Sequence, residues 1–204
     1  MKKWYLKPPT YEDFSRLLMA WRVWFGGALV GALLATALYF IVPPPYRAQA
    51  TVLVDQNVEQ VIPQEQTDLR KYTYLQRETD KLWEIAWADQ TLARLSAETG
   101  IPVADLRDGR LKLSQPSDGG WHFIADSPDP QIASALASAW AKAFYDEVMT
   151  HPAGISSILE VNLTQESNLP VGRAVPLGLY VFSGALIGVA LFSLGLLLFG
   201  HSGA

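Results

Sequence analysis

The chain contains no cysteine. That excludes a disulfide framework, a thiolate metal site and a cysteine nucleophile. Histidine is scarce. Only His122, His151 and His201 are present, and no two of them lie at the HxxxH or HExxH spacing of a helical metal site. GxSxG, P-loop and GxGxxG sequences are missing too. Carboxylates are plentiful, but without a partnering motif they read as a solvated surface. Neither catalytic nor metal or cofactor-binding residues are therefore expected. A nucleic-acid partner is excluded on charge, because the 204 residues carry a net charge of −4 and the acidic excess lies in the centre, where eleven basic residues face eighteen acidic ones.

Charge is also missing from two long stretches near the ends. Residues 23–42 (VWFGGALVGALLATALYFIV) and 175–199 (VPLGLYVFSGALIGVALFSLGLLLF) contain no Asp, Glu, Lys or Arg. Twenty apolar residues at ~1.5 Å rise match a ~30 Å hydrocarbon core, so each stretch reads as a transmembrane helix. Pro43, Pro44 and Pro45 end the first, while Pro176 suits the opening turn of the second and Gly200 its end. The first is too long, and begins too far into the chain, for a cleaved signal peptide. Lys2, Lys3, Lys7, Arg16 and Arg22 precede it, which by the positive-inside rule places the N-terminus in the cytoplasm. Two spans return the C-terminus to the same side. The expected order is a cytoplasmic amphipathic segment 1–22, span 23–42, a periplasmic domain 43–174, span 175–199 and a cytoplasmic tail 200–204. Thr10-Tyr-Glu-Asp13 resembles a capping box, and Phe14, Leu17, Leu18 and Trp21 follow at helical spacing, which predicts a short helix lying on the membrane or, as the alternative, one long helix continuous with the first span.

The central segment predicts a small α+β domain with a mixed or antiparallel sheet. Ala48 to Asp55 (AQATVLVD) reads as a strand. Leu69, Tyr72, Leu75, Thr79, Leu82, Trp83 and Ala86 form the stripe of an amphipathic helix over Asp68 to Ala88. Asp89 is placed to cap a second helix that Gly100 ends. The alternating Leu111-Lys-Leu113 and Trp121-His-Phe-Ile124 flank a Ser-Asp-Gly-Gly turn and predict a hairpin. From Pro130 the positions Ala133, Leu136, Ala137, Trp140, Ala141, Phe144 and Val148 define the clearest helical stripe of the chain. Ile158 to Gln165 reads as a last strand, expected beside the first because both lead to membrane spans. Within the spans, Gly27, Gly31 and Ala35, and likewise Gly184 and Gly188, recur every four residues. Such faces let helix backbones approach closely and are expected to serve assembly between subunits.

The segment after the first span, PPPYRAQATVLVD, with Pro45, Tyr46, Ala48, Ala50, Val52 and Val54, resembles the corresponding motif of the Wzz-type chain-length determinants, the polysaccharide co-polymerases. Ser127-Pro-Asp129-Pro130-Gln-Ile-Ala133 is similar to that family's Asp-Pro helix. Leu169-Pro170 and Pro176 resemble its proline-rich segment before the second span. The likeness runs through nearly the whole chain, with two departures: the long stalk helices between the Asp-Pro helix and the second span are missing, and Ser138 stands where the family usually has Asn. The resemblance implies a non-catalytic inner-membrane protein that forms homo-oligomers among membrane lipids. It would sit beside a lipid-linked polysaccharide polymerase and influence chain length or export of an O-antigen, capsule or exopolysaccharide. Members of the compact branch work with a cytoplasmic tyrosine kinase. Their activating tail has no counterpart in His201-Ser-Gly-Ala204, which sets a kinase below the polymerase among expected partners. The alternative is a two-span sensory or adaptor protein with a periplasmic ligand-binding domain.

Overall fold

A computed structural model of the protein describes residues 21–55, 68–115, 120–150, 160–164 and 169–199. The chain divides into two units, residues 1–44 with 175–204, and residues 45–174.

The first unit is a pair of helices, α1 (Trp21–Ile41) and, at the other end of the chain, α5 (Leu177–Phe199). Both are long and apolar enough to cross a membrane, and only 11% of either apolar window is buried. A core helix of a soluble protein would be mostly covered. These helices expose Leu33, Phe40, Phe182 and Leu191 by about 60% or more of their surface, which water does not tolerate over two helices and lipid does. Both helices are therefore candidate membrane spans. Their limits fall within two residues of those read from hydropathy. The amphipathic segment expected over residues 10–21, apart from Trp21, lies outside the described residues.

The second unit is an α+β domain. Its elements are β1 (Tyr46–Asp55), α2 (Asp68–Ala86), α3 (Asp89–Thr99), β2 (Leu111–Ser114), β3 (Gly120–Ser127), α4 (Pro130–Thr150), β4 (Glu160–Leu163) and β5 (Val171–Arg173). Short helical turns over Val103–Asp105 and Leu106–Arg110 link α3 to β2. The sheet order is β2-β3-β1-β4, and β5 pairs with β1 beyond the end of β4. All pairings are antiparallel, which settles the choice between a mixed and an antiparallel sheet. β3, α4 and β4 form a crossover with β1 inserted between the two strands, a split β-α-β arrangement.

Alternation decides which face of the sheet the helices cover. Ala48, Ala50, Val52 and Val54 of β1 and Trp121, Phe123 and Ala125 of β3 point to one side and are buried. Against them α4 sets Leu136, Trp140 and Phe144, with Ala133, Ala137 and Ala141 keeping the helix close to the sheet. Phe123 meets the Trp140 ring edge-on at 4.9 Å and lies 5.0 Å from Phe144. Such contacts add to the burial of the rings themselves. The Trp140 indole N–H donates to the Ala86 carbonyl at 2.9 Å, tying α4 to the end of α2. Among the described residues the helices lie on this face, and the opposite face carries Arg47, Gln49, Thr51, Leu53, His122, Ile124 and Asp126.

Three expectations change. Tyr72 and Trp83 are 65% and 43% exposed, whereas Glu78 is 3% exposed; the inward face of α2 runs through Leu75, Glu78, Leu82, Ile85 and Ala86. Asp89 does not cap α3. Ala88 occupies the cap position, and the Asp89 carboxylate pairs with Arg107 from the first turn. Tyr46 begins β1 two residues before the expected start, and β5 was not foreseen.

Candidate functional site

The residues singled out in the sequence fall at structural junctions. In the span pair, the glycine faces meet each other. A Cβ on Gly27 would lie 2.9 Å from the Gly188 carbonyl oxygen and 3.0 Å from the Phe192 side chain. A Cβ on Gly31 would overlap the Gly184 carbonyl, and one on Gly188 the Gly27 carbonyl. Ala35 occupies the next step, against Gly184. Backbones in such contact gain dispersion along the whole seam, which is the favourable term left when lipid removes any hydrophobic drive between helices. The expected close approach is present, but its partner is the chain's own second span. Within one chain, the Gly27 and Gly31 face that was expected to serve assembly between subunits packs against the Gly184 and Gly188 face. Beside the seam runs an apolar groove of about 450 Å³, lined by Val30, Leu34 and Leu38 of α1 and Leu179, Ile187 and Leu191 of α5.

In the second unit, Pro45 and Tyr46 meet the far end of the domain. The Ala174 N–H donates to the Pro45 carbonyl at 2.8 Å, Tyr46 pairs with Arg173 across the β1–β5 ladder, and the Arg173 guanidinium stacks 3.8 Å above the Tyr46 ring. An arginine on an aromatic face at this distance adds a cation–π attraction to the ladder. Pro170 immediately precedes β5, and Pro176 immediately precedes α5. Ala48 and Ala50 are buried core positions of β1. Asp129 caps α4: its Oδ1 accepts from the Gln131 N–H at 2.7 Å and the Ile132 N–H at 3.4 Å. Pro130, lacking an N–H, follows in the first helical position. The Asp-Pro pair is thus a helix start.

On the uncovered face, Arg47 forks onto Asp126 across β1 and β3, with Nε 2.7 Å from Oδ1 and Nη2 2.8 Å from Oδ2. Lys112 of β2 reaches the same Oδ2 at 3.0 Å. Burial opposes ionisation of Asp126, but the hydrogen bonds from Arg47 and Lys112 outweigh it and hold the carboxyl below its usual range. The same bond raises the Arg47 guanidinium. Three strands are stapled by one carboxylate. Sequence inspection missed this cluster because its members are separated by up to 79 residues; only the alternation of β1 and β3 hinted that Arg47 and Asp126 share a face. His122 lies within 3.0 Å of the Thr51 hydroxyl. His151 and His201 lie outside the described residues. Among the described residues no three His, Asp or Glu side chains cluster as metal ligands. The chemistry these groups support is structural: pairing strands, capping a helix and closing the domain.

Compared with known proteins, the chain matches no family model and no curated sequence.

Proposed function

We propose that the protein is a non-catalytic polysaccharide co-polymerase of the bacterial inner membrane, with both termini cytoplasmic and the α+β domain in the periplasm. It would oligomerise beside a lipid-linked polysaccharide polymerase and modulate the length or export of a surface polysaccharide. The observation that supports this most is where the Wzz-like residues sit. Pro45 and Tyr46 close the two ends of the domain and Asp129 and Pro130 start its longest helix, as scaffold residues do, while Pro170 and Pro176 immediately precede β5 and α5. A sheet with helices on one face leaves a broad second face for neighbours.

The test is the product. Deleting the gene should shift the length distribution of one surface polysaccharide on a gel, and the wild-type gene should restore it, as should a His122→Ala variant. An unaltered distribution for every polysaccharide of the cell would sink the reading.

A further inference from the structure

We propose that the two edges of the sheet, β2 and β4, pair with each other between copies of this chain, so that one antiparallel sheet continues from subunit to subunit. The proposal rests on the oligomeric reading above and adds the surfaces that carry it.

Direction comes first. β1 is antiparallel to both β3 and β4, and β3 is antiparallel to β2. The edge strands β2 and β4 therefore run in opposite directions. When two identically oriented copies abut head to tail, β4 of one meets β2 of the next as an antiparallel neighbour, with no inversion of either copy. Copies held in one membrane are related by rotation about its normal, and head-to-tail contacts of that kind close into rings.

Face matching comes second. Each edge strand has four residues. In full overlap, Leu111 stands opposite Leu163, Lys112 opposite Asn162, Leu113 opposite Val161 and Ser114 opposite Glu160. Side chains alternate, so this register has a definite parity. Leu111 and Leu113 belong to the helix-covered side, as do Leu163 and Val161, which pair with the core residues Val52 and Val54. Lys112, Ser114, Glu160 and Asn162 all lie on the open side and are exposed. Apolar therefore meets apolar, and polar meets polar.

Charge comes third. At the β4 edge, Glu160 sits directly across from Asp55 of β1. Like charges opposite one another on adjacent strands repel. At the other edge the exposed cation is Lys112, already shared with Asp126. In the full-overlap register Lys112 lies diagonal to Glu160 of the neighbour, within reach of a long side chain. The contact would bring a cation toward the acidic end of the neighbour's β4 edge. Among the described residues β2 and β4 have no outer neighbour; an open edge is an aggregation hazard, and pairing it with a second copy removes it.

The absence of cysteine makes the test clean. Ser114→Cys and Glu160→Cys face each other in the proposed register, where opposed Cβ atoms about 4.5–5.5 Å apart need only a small closing movement to reach the roughly 3.5–4.5 Å of a disulfide. Mild oxidation of the full-length double variant in membranes should yield a ladder of linked oligomers, and neither single variant should cross-link. A second arm reads charge. Lys112→Glu should weaken association about tenfold, the scale of one lost charge contact, and adding Glu160→Lys should recover much of it, which a purely internal role for Lys112 would not allow. A wild-type oligomer by native mass spectrometry with no ladder and no charge rescue would overturn the edge pairing and leave assembly standing. Cross-linking by a single variant would also overturn it, because it requires a two-fold contact. A wild-type monomer would overturn both this proposal and the co-polymerase reading.

Discussion

Two carboxylates illustrate how differently one residue type is used. Asp126 accepts a forked pair from Arg47 and a third bond from Lys112. Asp126→Asn should destabilise the domain by about 1–2 kcal/mol, modest because both cations are partly exposed and remain hydrated when unpaired. The acid dependence has a definite sign. The folded carboxyl ionises more readily than the unfolded one, so its contribution is fully present above the ordinary carboxylate pKa and is lost as pH falls through the lowered value. Thermal melts of the detergent-solubilised protein in strong acid should show the wild type converging on the Asn variant. Glu78 is the opposite case. One oxygen accepts from Lys81 at 2.9 Å, while the other is buried with no hydrogen-bond partner among the described residues. Glu78→Met retains the volume, removes the unsatisfied oxygen and leaves Lys81 to water. It should be neutral or stabilise by about 1 kcal/mol. A loss above that size would mean the carboxylate has a partner that the fold supplies in the assembled protein.

Elements were legible in proportion to how strongly one face was buried. α4 follows its apolar stripe from Ala133 to Val148, and Gly100 ends α3 with φ of 71° as a left-handed cap. α2 was found at nearly its predicted limits with its face misjudged, since Tyr72 and Trp83 share the periodicity without sharing the core. Aromatic residues tolerate half-exposure, so periodicity alone counts them inward. β5, at three residues, is too short to signal itself. The glycine seam makes its own prediction. Gly184→Leu should wedge α1 from α5, because its Cβ already stands 2.5 Å from the Gly31 carbonyl oxygen. Spin labels at Leu38 and Leu179, which line the same groove, should give a short, narrow distance in the wild type and a longer, broader one in the variant. Membrane insertion should persist, since leucine favours the bilayer. An unchanged distance would show that the seam is not what joins the spans.

At the scale of the whole molecule the expectation is topological. In the proposed topology, the basic residues before the first span put both termini in the cytoplasm. A reporter fused after Ala204 should be active only in a form that works in the cytoplasm, and one inserted at Gly119 only in a form that requires export. The inverse pattern would remove the periplasmic domain and with it any access to a growing polysaccharide on that side.

Hydropathy and alternation were enough to determine that there are two spans, that an α+β domain lies between them, and that β1, β3 and α4 build its core. These are one-dimensional signals, set by how many consecutive residues shun water and at what period. Which surfaces meet is a different kind of fact. The four glycines read as a face wanting a partner, and only the fold showed that the partner is the other span of the same chain. Arg47, Lys112 and Asp126 became one cluster only when three strands were laid side by side. Likewise Lys112 and Glu160 became opposite edges of one sheet only when the strand order was known. Contacts between residues far apart in sequence depend on strand order and register, and neither leaves a local trace in composition or period.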